Sequence, residues 1–316
     1  MFATVFLAVA ALFADSKTLA VQIRLDQAGF SCNQIDGQWG RKSEAAALKY
    51  LECKRPLVLG HDYGSLASEP ELMFDLFFRS RKGLFTSVAV TRNDLATLVR
   101  IPSEPAQKAA LPTMGYESLR EMFAERGHLS VRALERLNPG VDWDHVTVGQ
   151  RILLPSFPSI AEELTVWPKG AGRRNAPVRP EATLVKVSLS RYEISAYDEK
   201  GRVLALFPCS IARDKAKVPR GEMKVTGRIP NPNYTYTPDI AGAGGRVARH
   251  IYPPGPNCPV GVAWLGLNLS GYGIHGTPNP VSIGCAESHG CFRLANWNAA
   301  RLYGLCRLGA RVVVER

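Results

Sequence analysis

The chain lacks an apolar stretch of membrane-spanning length. Its longest, residues 2–13, reaches about half of the roughly 20 residues that a spanning helix needs. None of the seven cysteines stands in a C-x-x-C pair. Acidic residues are short against basic ones, 28 against 39, which gives a net charge of +11. With 46% hydrophobic and 21% charged residues, disorder, collagen and coiled coil are excluded as the dominant state. A length of 316 residues exceeds the usual domain size and predicts two or three folding units. The 28 Gly and 22 Pro concentrate towards the C-terminus, where they would serve turns between short strands.

The apolar start has no Lys or Arg before it and small residues after it: Ala10, Ala11 and Ala14. We read residues 1–14 as a signal peptide cleaved near Ala11 or Ala14, with the α-amino group as the only positive charge of its first segment. The alternative is a first buried helix of the mature protein. Export, to a periplasm or cell envelope, would leave no transmembrane segment after cleavage. It would also suit seven cysteines, because an oxidising compartment permits disulfides. The odd count leaves at least one thiol unpaired.

Residues 17–56 read as a small all-α module. Leu19, Ile23 and Leu25 give one helical face and Gly29 ends it, while Ser43 would cap a second helix carrying Ala46, Ala47, Leu48 and Leu51. Cys32 and Cys53 flank that helix, and a disulfide between them would stabilise the module by roughly 3 kcal/mol. Residues 57–112 are read as a helical segment without a motif, followed by a proline-containing linker. Residues 113–155 give helix, Gly127 turn, helix, Asn138-Pro139-Gly140 and a strand ended by Pro155, an α+β pattern. Residues 156–180 read as a basic linker. From 181 to 316 the period becomes two, with strands at Val185–Leu189, Tyr192–Tyr197 and Val203–Phe207, a closing strand Arg311–Val314, and helix confined to Asn296–Leu305. This last unit is mainly β.

The chemistry concentrates in Ile274-His275-Gly276-Thr277 and Ser288-His289-Gly290-Cys291-Phe292-Arg293-Leu294. A thiol attacks a carbonyl as thiolate, and a nearby imidazole takes its proton. On an extended strand, His289 and Cys291 share a face. Gly290 removes a side chain and exposes backbone N–H groups, the donors that an acyl-transfer oxyanion needs. This is the pattern of a Cys/His acyl-transfer site. Two alternatives compete: zinc held by His275, Cys285, His289 and Cys291, whose spacing lacks the paired short steps of structural zinc motifs, and a disulfide at Cys291 with core histidines.

The two segments are similar to the His…[Ser/Thr]-His-Gly-Cys signature of the L,D-transpeptidase (YkuD-like) catalytic domain, a β-sandwich. The resemblance extends to Val218-Pro219-Arg220-Gly221-Glu222-Met223, with Met223 where that family has an aromatic residue. It implies Cys291 as nucleophile, His275 as base and the Gly276 carbonyl as the group that orients the imidazole. His289, Gly290 and the Cys291 N–H would line the oxyanion site, with Ser288 in support and Arg293 either holding the loop or meeting a substrate carboxylate. The implied reaction runs through a thioester on the third residue of a tetrapeptide stem, expels D-alanine and forms a 3→3 cross-link. Water as acceptor would make it an L,D-carboxypeptidase. No cofactor and no metal are required. A catalytically silent wall-binding protein is the rival from another class.

The loop Ile35-Asp36-Gly37-Gln38-Trp39-Gly40 resembles that of three-helix peptidoglycan-binding domains, and residues 113–155 resemble a LysM module. Expected partners are therefore peptidoglycan stem peptides and glycan strands, and the positive charge would favour anionic wall polymers. Nucleic acid is not expected, because no reading motif is present. The pairing of Cys209, Cys258, Cys285 and Cys306 stays open, including a reversible Cys285–Cys291 bridge that would block the site.

Overall fold

A computed structural model of the chain describes residues 13, 16–54, 62–165, 180–238, 249–288 and 290–316. The expected signal peptide, apart from Phe13, lies outside the described residues, as do His289 and residues 166–179 of the expected basic linker. Among the described residues, no helix is long and apolar enough to cross a membrane.

The N-terminal module packs α1 (Lys17–Gln27), α2 (Arg41–Lys54), α3 (Tyr63–Ser68) and α4 (Pro70–Phe77). Leu19, Ile23 and Leu25 are fully buried, as their spacing predicts. Ser43 lies inside the first turn of α2 and does not cap it; its hydroxyl accepts from the buried Gln22 amide at 3.0 Å. The same amide group donates to Asp36 (3.2 Å) and the Gln38 carbonyl (2.8 Å), and its oxygen accepts from the Gly37 N–H at 2.8 Å. One glutamine thus ties the loop 35–40 to both helices. Phe13 packs beside Gly37 and beneath the guanidinium of Arg136, 3.9 Å from the ring centre.

The expected Cys32–Cys53 disulfide is not formed. Both thiols are free, Cys32 enclosed in the core and Cys53 exposed on the last turn of α2, so their side chains face opposite environments.

The segment 57–112, read as helix and linker, contains a strand. β1 (Phe85–Ala89) is followed by the short α5 (Arg92–Ala96) and α6 (Pro105–Ala109), then by α7 (Leu119–Arg126), α8 (Val131–Leu137) and β2 (Arg151–Pro155). β1 pairs antiparallel with β2 from Phe85↔Pro155 to Ala89↔Arg151. Ser118 and Ser130 cap α7 and α8 through their hydroxyls. Asn138 satisfies its amide on the Leu134 and Leu153 carbonyls, both at 3.0 Å, and so fastens the end of α8 to β2. The expected linker also begins with structure: α9 (Ile160–Leu164) opens with a capping box at Ser159 and Glu162.

The C-terminal unit comprises β3 (Ala182–Ser188), β4 (Glu193–Tyr197), β5 (Val203–Pro208), β6 (Ile211–Ala212), β7 (Gly221–Pro230), β8 (Tyr234–Tyr236), β9 (His250–Tyr252), β10 (Ala263–Leu267), β11 (Gly273–His275), β12 (Ala286–Ser288), β13 (Phe292–Arg293), α10 (Asn296–Leu305) and β14 (Cys306–Glu315). Eight strands form one mixed sheet in the order β13-β11-β10-β7-β14-β3-β4-β5. β7 is shared along its length: residues 221–224 pair with β14 and residues 225–230 with β10. Val185, Val187 and Ile194 from one half meet Ala263, Leu265, Ile274 and Phe292 from the other in a single core.

Three modules meet at one buried ion cluster. Asp26 of α1 contacts His128 Nδ1 at 3.2 Å and Arg301 of α10 at 3.4 Å, and Arg301 reaches Glu163 of α9 at 3.4 Å. His128 is stacked between Phe157 and Trp297, with centroids at 4.0 and 5.1 Å.

Candidate active site

The site is built at the edge of the sheet where β11 and β13 run parallel, with Ile274 opposite Phe292 and His275 opposite Arg293. Cys291 immediately precedes β13. Its thiol donates to the Gly271 carbonyl at 3.5 Å, and the Gly273 N–H faces it and favours the thiolate. Gly273 and His275 lie two residues apart on an extended strand and so share a face. The parallel pairing of β11 with β13 places the segments that carry His275 and Cys291 side by side at this sheet edge.

His275 is 6% exposed, and its Nδ1 lies 2.6 Å from the Gly276 carbonyl. A carbonyl only accepts, so Nδ1 carries the proton and Nε2 is left as the basic nitrogen. The ring stacks on Trp264 of β10, its direct partner across the strand pair, at 5.4 Å and 15°. Burial holds the imidazole down to about 4; the Gly276 carbonyl opposes that shift and the charge of Arg293 adds to it. Burial also raises the Cys291 thiol. Both shifts favour the uncharged forms, a thiol and a neutral imidazole.

Ser288 organises the loop before the cysteine. Its hydroxyl donates to the Cys291 carbonyl at 2.6 Å and accepts from the Gly290 N–H at 3.3 Å. Gly290 N–H is therefore turned to Ser288 in the resting site. A Cβ on Gly290 would come within 3.0 Å of the Tyr272 ring. The backbone of Arg293 exchanges two 2.9 Å hydrogen bonds with Ser210. The Cys285 thiol donates to the Ser282 carbonyl at 2.9 Å. No group of three or more His, Cys, Asp or Glu side chains that could hold a metal ion occurs among the described residues.

Other residues near the site lie outside the two His/Cys motif segments. Tyr234 of β8 stands close enough for the charge of a Cys291 thiolate to raise its phenol, after burial as the larger cause. The N-terminal module holds the loop between the two motif segments: Asn33 donates to the Pro280 carbonyl at 2.8 Å and Lys42 to the Ile283 carbonyl at 2.5 Å.

Comparison with known proteins identifies the family. The family profile of the L,D-transpeptidase catalytic domain, YkuD, matches residues 182–314. YkuD of Bacillus licheniformis, assigned to the L,D-transpeptidases, is 31% identical over 183 residues, which cover 58% of this chain and 85% of that protein. Its namesake in Bacillus subtilis is 28% identical over 188 residues, covering 60% of this chain and 88% of that protein. A match of this length exceeds the stretch from 182 to 316 and so reaches into the module before it. A solved L,D-transpeptidase from Mycobacterium smegmatis aligns at 20% identity and a TM-score of 0.34 over 43% of this chain and 59% of that chain. The chain belongs to the YkuD family of L,D-transpeptidases.

Proposed function

We propose that the protein is an exported, cysteine-dependent peptidoglycan transpeptidase that forms 3→3 cross-links between stem peptides. The observation that supports this reading best is the parallel pairing of β11 with β13, which puts the strand ending in the buried His275 next to the strand that Cys291 precedes. His275 Nε2 would take the Cys291 proton as sulfur attacks the carbonyl of the third stem residue. The Cys291 N–H would bind the oxyanion, with the Gly290 N–H exchanging Ser288 for it. Collapse would release D-alanine, its amine taking the proton from His275, and leave a thioester. A side-chain amine of a second stem would then give its proton to His275 and displace the sulfur. Arg293, beside the imidazole, would hold the motif loop through its backbone and contribute positive charge to the stem-binding face. His289 would line the oxyanion side.

The N-terminal helices and the α+β module would bind wall glycan, in peptidoglycan-binding-like and LysM-like roles. Tethering would raise the effective concentration of stem peptides at the site. The reaction itself needs no cofactor.

Purified protein and Cys291→Ala, each incubated under reducing conditions with disaccharide-tetrapeptides, test the reading by mass spectrometry. A dimer formed with loss of D-alanine, only when Cys291 is present, is expected. Tripeptide without dimer would make the enzyme an L,D-carboxypeptidase. Bound but unchanged muropeptide would indicate a wall-binding protein.

A further inference from the structure

The catalytic unit extends beyond its own sheet. Glu125 of α7, in the α+β module, is 9% exposed and accepts two hydrogen bonds: from the Tyr116 hydroxyl at 2.6 Å and from the Asn296 side-chain amide at 2.9 Å. Asn296 is fully buried at the start of α10, five residues after Cys291. Its Nδ2 also donates to the Pro256 carbonyl at 3.0 Å, and its Oδ1 accepts from the Val262 N–H at 3.3 Å. Both partners of Nδ2 are acceptors, so the amide has one orientation.

That orientation bears on the imidazole. The Asn296 amide oxygen sits directly beneath Gly276, where any Cβ would collide with it, and Gly261 packs against the same two groups. Gly276 is the residue whose carbonyl fixes Nδ1 of His275. The surrounding loop is docked on the α+β module as well. Met114 N–H donates to Pro254 and Asn257 N–H to Met114, both at 2.9 Å, and the Asn257 amide reaches Glu121 at 2.7 Å.

We infer that Glu125 is a positioning residue for His275, acting across the module boundary through the Asn296 amide and the Gly276 backbone. The inference rests on His275 being the base. Burial pushes the Glu125 carboxyl up to about 7, Tyr116 and Asn296 oppose that shift, and the charge of Glu121 adds to it. Asn296 is held in either state, because a protonated carboxyl can donate to Tyr116 while its other oxygen still accepts from Asn296. Gln reproduces that arrangement. Leu removes it, and Asp draws it back by one methylene.

The test uses the full chain with Glu125→Gln, Glu125→Asp and Glu125→Leu. Three readouts apply: circular dichroism, turnover of disaccharide-tetrapeptide, and the ¹H–¹⁵N resonance of the His275 Nδ1–H, assigned by its loss in His275→Gln. Glu125→Gln is expected to keep kcat within about twofold and the resonance in place. Glu125→Leu, and Glu125→Asp to a smaller extent, are expected to lower kcat roughly 10- to 100-fold with KM nearly unchanged, and to shift or broaden the His275 line. If Glu125→Leu does not fold, Glu125→Asp decides. Wild-type kcat and an unmoved resonance in the folded variants would overturn the inference, as would Glu125→Gln behaving like Glu125→Leu. Should the wild-type chain fail to turn over muropeptide, the proposed reaction falls, and the imidazole resonance still decides the positioning role.

Discussion

His275 and Trp264 face each other across β10 and β11, ring over ring, with centroids 5.4 Å apart. The indole limits how far the imidazole can turn about its hydrogen bond to Gly276. An aromatic stack of this kind contributes about 0.5–1.5 kcal/mol beyond area burial. Trp264→Leu should therefore lower kcat roughly 3- to 10-fold, and Trp264→Phe, which keeps a ring, should lose less. Equal losses in the two variants would assign the effect to strand packing alone.

Burial favours the uncharged forms of both His275 and Cys291, and this sets the expected pH response. His275, held near 4 by burial, accepts a proton at any pH above that value and loses this capacity as the pH falls through it. Acylation should therefore keep its acid limb near 4, below the ordinary histidine range of about 6.5. The Cys291 thiol, raised by burial, should react with iodoacetamide at pH 7 at least about tenfold more slowly than a small free thiol. Fast alkylation at pH 6 would instead reveal a thiolate–imidazolium pair.

The strands β3 to β5, the closing strand and α10 were legible because alternation and helical spacing are local signals. The two short motifs marked the segments that β11 and β13 bring side by side. β1 was not legible: its partner β2 lies more than sixty residues on, and five residues with a mixed burial pattern give no period to read. Nor was Glu125, which on α7 looks like one more charge of a solvated face, since only the tertiary contact with Asn296 shows it to be buried. The Cys32–Cys53 expectation failed for a related reason: spacing closes a loop on paper, whereas burial decides which way each thiol points.

Two glycines with left-handed backbone separate conformational strain from collision. Gly149 has φ +89 and open space around it, so Gly149→Ala should cost about 1 kcal/mol, the penalty for a side chain at positive φ. Gly261 has φ +61, and a Cβ there would lie 2.6 Å from the Gly276 carbonyl carbon and closer still to Asn296. Gly261→Ala should lower the melting temperature well beyond Gly149→Ala and also depress kcat, because the displaced backbone orients His275. Similar melting temperatures for the two variants would show that the loop yields.

No disulfide joins the described cysteines, so the protein's stability should not depend on reductant. Peptide mapping without reduction should find Cys32 and Cys53 unpaired, and dithiothreitol should leave the melting temperature unchanged. Cys32, whose thiol is raised far above its ordinary value by burial and next by the charge of Asp26, should resist alkylation until the chain unfolds. A reductant-sensitive melt would restore a structural disulfide.

Asp26 joins the three modules, and its charge state should control how they hold together. His128 and Arg301 keep its carboxyl below the ordinary value of 3.8, against the desolvation that is the largest single influence. A carboxylate depressed in the folded state contributes stability that is present above its unfolded pKa and lost as the pH falls through the folded one. The acid limb should thus lie below pH 4. Asp26→Asn leaves Arg301 and His128 facing a neutral amide in a buried junction, and should destabilise the chain at neutral pH by roughly 3–5 kcal/mol, the usual result of removing one member of a buried charge pair. Measured against pH, the difference between wild type and Asp26→Asn should shrink as the pH drops towards 3. A difference that stays constant down to pH 3 would mean that the carboxylate contributes shape and hydrogen bonding but not charge.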